Sequence, residues 1–228
     1  PRRGAHWRFT VTVRYELRWL EDPSTKESQA VAELHCRLLP TSPLAALGQR
    51  FLGRWYYRAL PRMDLIQVLV GEIDGRVRGF IAVTTDADAF MGRAMRSGPL
   101  ALGAHLALAV LTDPRRLIAL REAAAISASR RKQSTGGGEL LSFAVDGSVR
   151  GAEFVRATGI RMAGDLMGGA IQRLREQGVP RIRSLVDADN RAVRILYGAM
   201  GWNLAAESVA GWRTPQVEYE LDPRSAAS

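Results

Sequence analysis

The chain has 228 residues, of which 46% are hydrophobic and 24% are charged. This balance is typical of a globular protein and excludes disordered, collagen-like and coiled-coil chains. Cys36 is the only cysteine, which excludes an intramolecular disulfide and a multi-cysteine metal site and indicates a reducing, cytoplasmic compartment. The net charge of +9 is carried mostly by arginine. It favours nucleic acid, an acidic protein or a phosphate-bearing small molecule as partner, and an arginine-rich solvated surface is the alternative.

The first third of the sequence predicts strands and helices in alternation. Alternating polar and apolar residues indicate the strands, and apolar residues three or four positions apart indicate the helices. An Asp74-Gly75 turn between two apolar runs is the clearest local signal, because tight hairpin turns favour Asp-Gly. The predicted elements are a strand over residues 9–19, helices over 28–39 and 44–60 with a proline-bounded break at 40–43, and hairpin strands over 65–73 and 76–84.

The remaining sequence predicts an α/β arrangement interrupted by one helical stretch. Residues 85–138 lack a strand pattern and end in a glycine-rich joint. The later elements alternate between strand and helix, which favours a mixed sheet covered by helices. The predicted elements are helices over residues 88–95, 100–111 and 114–129, then strands over 139–146, 181–186, 202–209 and 216–221, with helices over 162–177 and 190–200. The apolar stretch 99–111 is too short for a bilayer span, which needs roughly 20 residues.

Two motifs in the second half carry a family resemblance. The first is a loop of the form Gln/Arg-x-x-Gly-x-Gly/Ala that opens a helix, here residues 158–163. The second is a strand followed by Asn190, then Tyr197, then Gly201 and Trp202. Together they resemble the core of the GNAT superfamily of N-acetyltransferases, and residues 35–52 are similar to one subgroup of it. The resemblance implies a mixed, mostly antiparallel central sheet of about seven strands. It also implies a single domain over residues 1–228, with 85–138 as a helical insert between the third and fourth strands.

The resemblance implies an acyl-CoA binding site, with acetyl-CoA or a longer acyl-CoA as donor. Unpaired N–H groups at the helix start would hold the pyrophosphate. This sequence departs from the family motif, because Thr158 replaces Gln/Arg and Arg161 stands at the central glycine position. The Arg161 guanidinium would compensate for that glycine in charge but not in shape. The implied cofactor-binding residues are Phe143, Ala144, Val145, Thr158, Gly159, Ile160, Arg161, Met162, Ala163, Gly164, Asn190 and Tyr197.

The resemblance also implies a direct attack by an amine on the thioester, which needs oxyanion donors, a base and an acid. Backbone N–H groups of residues 141–145 would support the oxyanion. Tyr197 occupies the position of the general acid, or else only packs its helix on the sheet. Glu139 is the candidate base, or else a solvated strand-edge glutamate. Asn190 would face the cofactor, cap the following helix, or do both.

The binding site for the acceptor amine is expected near the first helix and the insert. His35, Thr41 and Ser42 are the predicted substrate-binding residues, and a packed core histidine is the alternative for His35. No histidine pattern suggests a metal. The apolar segment 100–111 predicts either a lining for a long acyl chain, or a core helix or dimer contact. Arginines of the insert would then face an acidic partner such as an acyl carrier protein; they are Arg93, Arg96, Arg115, Arg116, Arg121, Arg130 and Arg131.

The sequence therefore predicts an N-acyltransferase that acts in a ternary complex without a covalent enzyme intermediate. The alternatives are an enzyme with an acyl carrier protein donor that acylates a peptide or natural-product amine, and a non-catalytic acyl-CoA-binding protein of the same fold. Nucleic acid is disfavoured as a partner, because no recognition signature accompanies the charge. A homodimer fits the resemblance.

Overall fold

A seven-stranded sheet runs through both halves of the chain. The computed structural model describes residues 13–97, 99–114, 116–118, 120–121, 136–209 and 214–224. The strands are β1 (Tyr15–Trp19), β2 (Gln67–Ile73), β3 (Arg76–Thr84), β4 (Gly138–Val145), β5 (Ile182–Asp187), β6 (Asn203–Val209) and β7 (Gln216–Leu221). Their order is β1-β2-β3-β4-β5-β7-β6. Only β4 and β5 pair in parallel, so the predicted mixed, mostly antiparallel sheet of seven strands is confirmed.

Helices cover both faces of the sheet. The first one begins where Ser24 and Glu27 form a capping box, in which each side chain accepts a hydrogen bond from the other's backbone N–H. The helices are α1 (Thr25–Leu38), α2 (Pro43–Ala46), α3 (Gln49–Phe51), α4 (Ala59–Arg62), α5 (Phe90–Ser97), α6 (Pro99–Thr112), α7 (Ala152–Thr158), α8 (Met162–Glu176) and α9 (Arg191–Ala199).

The hairpin between β2 and β3 forms as predicted. Asp74 and Gly75 both adopt left-handed backbone conformations, with φ of 51° and 73°. Two consecutive positive φ angles define the tight turn that matches the twist of antiparallel strands. The hairpin pairs β2 with β3, and the other edge of β3 pairs with β4, the strand that carries the candidate site.

The single helix predicted over residues 44–60 is wrong. Gly48 has a φ of 94°, which ends the first helical segment, and a π-helical turn at Leu52–Tyr56 follows α3. A side chain at Gly48 would also lie 2.9 Å from the Arg116 guanidinium. Periodicity detects the apolar face shared by these short segments but not the glycine turn between them.

The insert lies between β3 and β4, as expected from the sequence. It contains α5 and α6, and residues 116–118 and 120–121 are also helical. The rest of the helix predicted over 114–129 lies mostly outside the described residues, as do residues 9–12 of the predicted first strand. The sequence did not indicate α7 or the 3-10 turn Gly147–Val149, which both lie in the long loop between β4 and α8.

Two apolar clusters cover opposite faces of the sheet. One contains α1, the segment around the π-helical turn, and buried residues of the insert such as Phe90 and Leu102. The other contains α8 together with Tyr197 and Trp202. Strand β4 contributes Ala144 to the first cluster and Val145 to the second. Strand β4 therefore packs between two apolar layers.

Candidate active site

A cleft opens where the two parallel strands diverge. β4 and β5 are paired only from Gly138–Ile182 to Leu140–Ser184, and the pairing then stops. At the same point β4 carries a bulge, because Ala82 faces Ser142 whereas Val83 faces Leu140. Leu141 is thus an extra residue in β4. Beyond the bulge, the β5-facing edge of β4 has backbone groups that need partners other than β5.

Residues from four parts of the chain line this cleft. Its volume is about 140 Å³, which is small beside the roughly 300 Å³ or more of sites that enclose drug-sized ligands, so it suits a thin chain. The lining residues are Leu39, Thr41, Ser42, Leu140, Leu141, Ser142, Phe143, Leu185, Val186, Asp187, Asn190, Val193, Thr214 and Gln216. The predicted site residues Thr41, Ser42, Phe143 and Asn190 are therefore brought together here.

The predicted phosphate loop forms the start of α8. Gly159 adopts a left-handed conformation with φ of 76° and ends α7. Arg161 stands at the N-cap of α8 with an exposed side chain, and no described side chain caps this helix end. The first-turn N–H groups, from Met162 to Gly164, point out of the helix end, where they can hold an anion. Met162 is buried in the core.

Thr158 and Ile160 stabilise the turn itself. The Thr158 hydroxyl donates to the Phe154 carbonyl at 2.8 Å, and its oxygen lies 3.2 Å from the Ile160 N–H, which donates to it. Ala163 packs against the core with Ile160. The loop is thus preformed by short-range contacts. None of its residues is in the described lining of the cleft.

Asn190 caps α9 and lines the cleft. Its side-chain oxygen accepts a hydrogen bond from the Val193 N–H at 3.3 Å, which caps α9. The same residue lines the cleft. The cap fixes the start of α9 directly beyond β5, so the amide stands at the cleft wall.

Tyr197 is buried in the core beneath β5. Its hydroxyl is 2.8 Å from the Ser184 hydroxyl, and its ring stacks on Trp202 with centroids 4.7 Å apart. Burial raises the pKa of Tyr197 above its ordinary value, so its hydroxyl stays protonated. Tyr197 is not among the described lining residues of the cleft.

Glu139 also lies outside the described lining. It is 2% exposed, and its carboxylate is 3.4 Å from Nε of Arg183. The same guanidinium bonds to Asp88 at 3.0 Å. Asp88 in turn accepts a hydrogen bond from the Gly136 N–H at 3.0 Å. This ion cluster ties β4 and β5 to the base of the insert.

His35 is fully buried between α1 and the sheet. Its Nδ1 is 2.6 Å from the Tyr57 hydroxyl and its Nε2 is 3.2 Å from the Ser42 hydroxyl. The ring stacks on Phe80 with centroids 5.8 Å apart. Burial lowers the pKa of His35 to about 4, so the imidazole is neutral near pH 7. His35 therefore reaches the cleft through Ser42, whose oxygen also accepts a hydrogen bond from the Leu44 N–H.

Sequence reasoning missed a polar group at the end of β5. One oxygen of Asp187 accepts a hydrogen bond from the Thr214 hydroxyl at 2.8 Å and another from the Gln216 side-chain amide. All three residues line the cleft. Asp187 ends the strand that precedes Asn190 in the second motif, and a carboxylate at a strand end is the signal that could have identified it. The pairing of β5 with β7 is what brings Thr214 and Gln216 beside Asp187.

No described residue of the insert lines the cleft. Instead Arg116 packs against Gly48 and donates to the Ala109 carbonyl at 3.3 Å. Among the described residues, none forms a cluster of three or more His, Cys, Asp or Glu side chains that could hold a metal ion. None of the described helices is long and apolar enough to cross a membrane.

No family model matches the sequence, and no curated protein matches it. Several solved structures match the fold. The protein PH1933 from Pyrococcus horikoshii OT3 has a TM-score of 0.56 at 11% identity, covering 92% of this chain and 98% of its own. A protein of Desulfovibrio desulfuricans assigned to the GNAT family of acetyltransferases has a TM-score of 0.51 at 11% identity, covering 92% and 99%.

A third similar structure is FeeM, an N-acyl amino acid synthase from uncultured soil microbes. Its TM-score is 0.51 at 16% identity, and the match covers 94% of this chain and 93% of FeeM. Identities this low carry information on the fold alone. The fold expected from the two sequence motifs is confirmed, and the chain has the fold of the GNAT-family N-acetyltransferases.

Proposed function

We propose that this protein is an N-acyltransferase that moves an acyl group, acetyl or longer, from an acyl-CoA thioester to a primary amine. The observation that carries the proposal is the divergence of β4 and β5 immediately after three paired positions. An unpaired strand edge offers N–H and C=O groups at regular spacing. The pantetheine arm of CoA contains two amides, so it can hydrogen bond to that edge as a short strand would.

The start of α8 supports a binding site for the pyrophosphate of CoA. Its first-turn N–H groups follow the left-handed Gly159, and no described side chain occupies them. The exposed Arg161 guanidinium adds a positive charge at the same end. A helix N-terminus with an adjacent arginine favours a pyrophosphate.

The polar wall of the cleft supports a binding site for the acceptor amine. Asp187 is held by Thr214 and Gln216 through one oxygen. A carboxylate so fixed is suited to bind an amine in its ammonium form and to orient it. Thr41 and Ser42 on the opposite side supply further hydrogen-bonding groups. FeeM, which shares the fold, makes N-acyl amino acids, and this favours a small amine metabolite as acceptor.

The chemical step would be a direct attack in a ternary complex. The amine nitrogen attacks the thioester carbonyl, and the bulge at Leu141 aims backbone N–H groups of β4 at the developing oxyanion. The C–S bond then breaks, the nitrogen gives up one proton, and the departing thiolate takes up one. Tyr197 as general acid and Glu139 as base remain predictions from the family motif.

The first test is isothermal titration of the protein with acetyl-CoA, palmitoyl-CoA and free CoA. It is followed by release of the CoA thiol with amino acids, polyamines, amino sugars and a lysine peptide as acceptors. We expect binding in the micromolar range and thiol release with at least one acceptor. Binding without transfer from any donor, acyl carrier protein thioester included, would instead indicate a non-catalytic binding protein. The absence of both binding and transfer would refute the proposal.

Arg161→Ala tests the phosphate end separately. Loss of a charge-assisted hydrogen bond at an exposed site corresponds to about 1–2 kcal/mol, so the Kd for CoA should rise roughly 5- to 30-fold. The effect should shrink at high salt. Arg50→Ala removes another exposed arginine, 111 positions from Arg161 in the sequence, and is the matched control. An unchanged Kd in Arg161→Ala would show that this guanidinium does not contact the phosphates.

A further inference from the structure

Three side chains form a hydrogen-bonded row that leads from the core to the cleft. The Tyr57 hydroxyl is 2.6 Å from Nδ1 of His35, and Nε2 of His35 is 3.2 Å from the Ser42 hydroxyl. Tyr57 and His35 are each 0% exposed, whereas Ser42 lines the cleft. The rings of His35 and Tyr57 both pack on Phe80, with centroids 5.8 and 5.6 Å away, which fixes their orientation.

The buried tyrosine sets the direction of the first hydrogen bond. Burial raises the pKa of the Tyr57 hydroxyl well above its usual value, so the oxygen keeps its hydrogen. Among the described residues, Nδ1 of His35 is the atom that forms a hydrogen bond with this hydroxyl. A buried O–H without an acceptor is destabilising, so Tyr57 donates and Nδ1 accepts.

The direction of the second hydrogen bond follows from the protonation state of His35. Burial lowers the pKa of His35 to about 4, so its ring carries a single hydrogen near pH 7. Because Nδ1 accepts from Tyr57, that hydrogen is on Nε2, and His35 donates to the Ser42 oxygen.

The Ser42 hydroxyl is therefore left as a hydrogen-bond donor toward the cleft. Its oxygen accepts from Nε2 of His35 and from the Leu44 N–H, each at 3.2 Å, and these two bonds occupy both of its lone pairs. Its own hydrogen remains for a ligand in the cleft. The two incoming hydrogen bonds also polarise the O–H bond, which makes Ser42 a stronger donor.

We propose that Ser42 donates a hydrogen bond to the carbonyl oxygen of the acyl thioester and stabilises the oxyanion that forms there. This inference rests on the proposed acyltransferase function, in which N–H groups at the bulge of β4 contact the same oxygen. Ser42 and the bulge residue Leu141 line one cleft of about 140 Å³, so a carbonyl held at the bulge lies close to Ser42.

The chemistry of the cleft favours a neutral carbonyl oxygen over a carboxylate as the partner of Ser42. Asp187 is the only charged side chain among the described lining residues, and its negative charge repels a carboxylate. As the amine attacks, the carbonyl oxygen gains negative charge, and a donor that already points at it stabilises this charge without rearrangement. The hydrogen stays on Ser42 throughout. His35 and Tyr57 do not contact the substrate and act as positioning residues, because they prevent the Ser42 hydrogen from turning toward the imidazole.

Ser42→Ala is the direct kinetic test. Removing one donor to an oxyanion lowers kcat by about 100-fold or more in other enzymes, so kcat should fall by about that factor while the KM for the amine stays within threefold. Ser42→Thr keeps the hydroxyl and the helix cap and should restore most of the activity. Ser24→Ala is the matched control, because it removes another serine that caps a helix and that lies outside the described lining of the cleft.

Infrared spectroscopy separates a hydrogen bond to the carbonyl from a structural role of Ser42. The carbonyl of acetyl-CoA, labelled with carbon-13, has a stretching band that moves to lower wavenumber when its oxygen accepts a hydrogen bond. With no amine present, we expect this band at lower wavenumber in the wild-type protein and in Ser24→Ala than in Ser42→Ala.

Tyr57→Phe tests the same inference while leaving Ser42 and its helix cap in place, and it serves if Ser42→Ala fails to fold. Without the Tyr57 hydroxyl, His35 can carry its hydrogen on Nδ1, and Ser42 can then turn to donate to Nε2. The labelled band should therefore move to higher wavenumber in this variant as well.

The inference is overturned if the band of Ser42→Ala or Tyr57→Phe coincides with that of the wild-type protein, or if Ser42→Ala keeps the kcat of Ser24→Ala within threefold. A raised KM for the amine with an unchanged band would also overturn it, because Ser42 would then contact the amine. Failure of the proposed function appears instead in the wild-type protein, as no binding of acyl-CoA or no thiol release with any acceptor.

Discussion

Replacement of Glu139 by Gln distinguishes a catalytic base from a structural ion pair. The carboxylate is 2% exposed and 3.4 Å from Nε of Arg183, and the guanidinium keeps a second partner, Asp88, at 3.0 Å. Removing one partner of a buried pair destabilises proteins by about 3–5 kcal/mol when the other charge is left alone. Because Asp88 remains, we expect a loss of about 2 kcal/mol. In a chain of this length that corresponds to a melting temperature lower by roughly 4–8 °C.

The assay combines chemical unfolding with steady-state kinetics on the folded variant. If the geometry describes the role of Glu139, kcat per folded molecule should stay within about threefold of wild type, since mutations outside the chemistry leave transition-state contacts intact. Combination with Asp88→Asn should be non-additive, because both carboxylates contact one guanidinium. Glu220→Gln provides the control, since Glu220 pairs with Arg181 at 3.6 Å on the partly exposed strand β7. Unchanged stability with a kcat lower by about 100-fold would refute this reasoning and assign Glu139 as the base.

Three further substitutions or conditions have defined outcomes. Hydrogen bonds donated by the backbone and side chain of Ser148 help to hold the pKa of Asp146 at about 2. The free energy of unfolding should therefore fall by at most about 2 kcal/mol between pH 4 and pH 2, as Asp146 becomes protonated. Acid titration of Asp146→Asn should lack this loss. Gly137→Ala should destabilise by about 3 kcal/mol, because its φ is 115° and a Cβ would lie 2.6 Å from a backbone oxygen, whereas Gly136→Ala, in open space, should lose about 1 kcal/mol in the same urea titration. Tyr197→Phe should lose about 1 kcal/mol by leaving Ser184 unpaired, and a kcat unchanged in that variant would contradict the general-acid prediction.

The parts of the fold that the sequence predicts are those encoded within a few residues. Asp74 and Gly75 define the hairpin because their backbone preferences suffice for the turn. The capping side chain of Asn190 likewise marks the start of α9. The break at Gly48 escaped detection, because the apolar pattern continues on both sides of it and the packing partner, Arg116, is 68 positions away.

The candidate site is less predictable, because its wall is assembled by sheet pairing. Thr214 and Gln216 stand beside Asp187 only because β7 lies antiparallel to β5. The hydrogen bonds from Ser42 through His35 to Tyr57 join three separate parts of the fold, and Tyr57 follows the π-helical turn, whose geometry the sequence did not indicate. Motif matching finds residues that a family shares in order, whereas a polar wall built from separate elements has no signature in the order of the residues.

The two buried tyrosines show why connectivity, rather than acidity, decides which hydroxyl can serve the reaction. Burial raises the pKa of both Tyr57 and Tyr197, so each keeps its proton near neutral pH. The Tyr197 hydroxyl meets Ser184, which is 1% exposed, so this pair is enclosed in the core. The Tyr57 hydroxyl instead lies 2.6 Å from Nδ1 of His35, and Nε2 of His35 lies 3.2 Å from the Ser42 hydroxyl at the cleft wall. The Tyr197 hydroxyl would reach a ligand in the cleft only if the β5 wall moved, whereas Tyr57 is already joined to the cleft wall through His35 and Ser42.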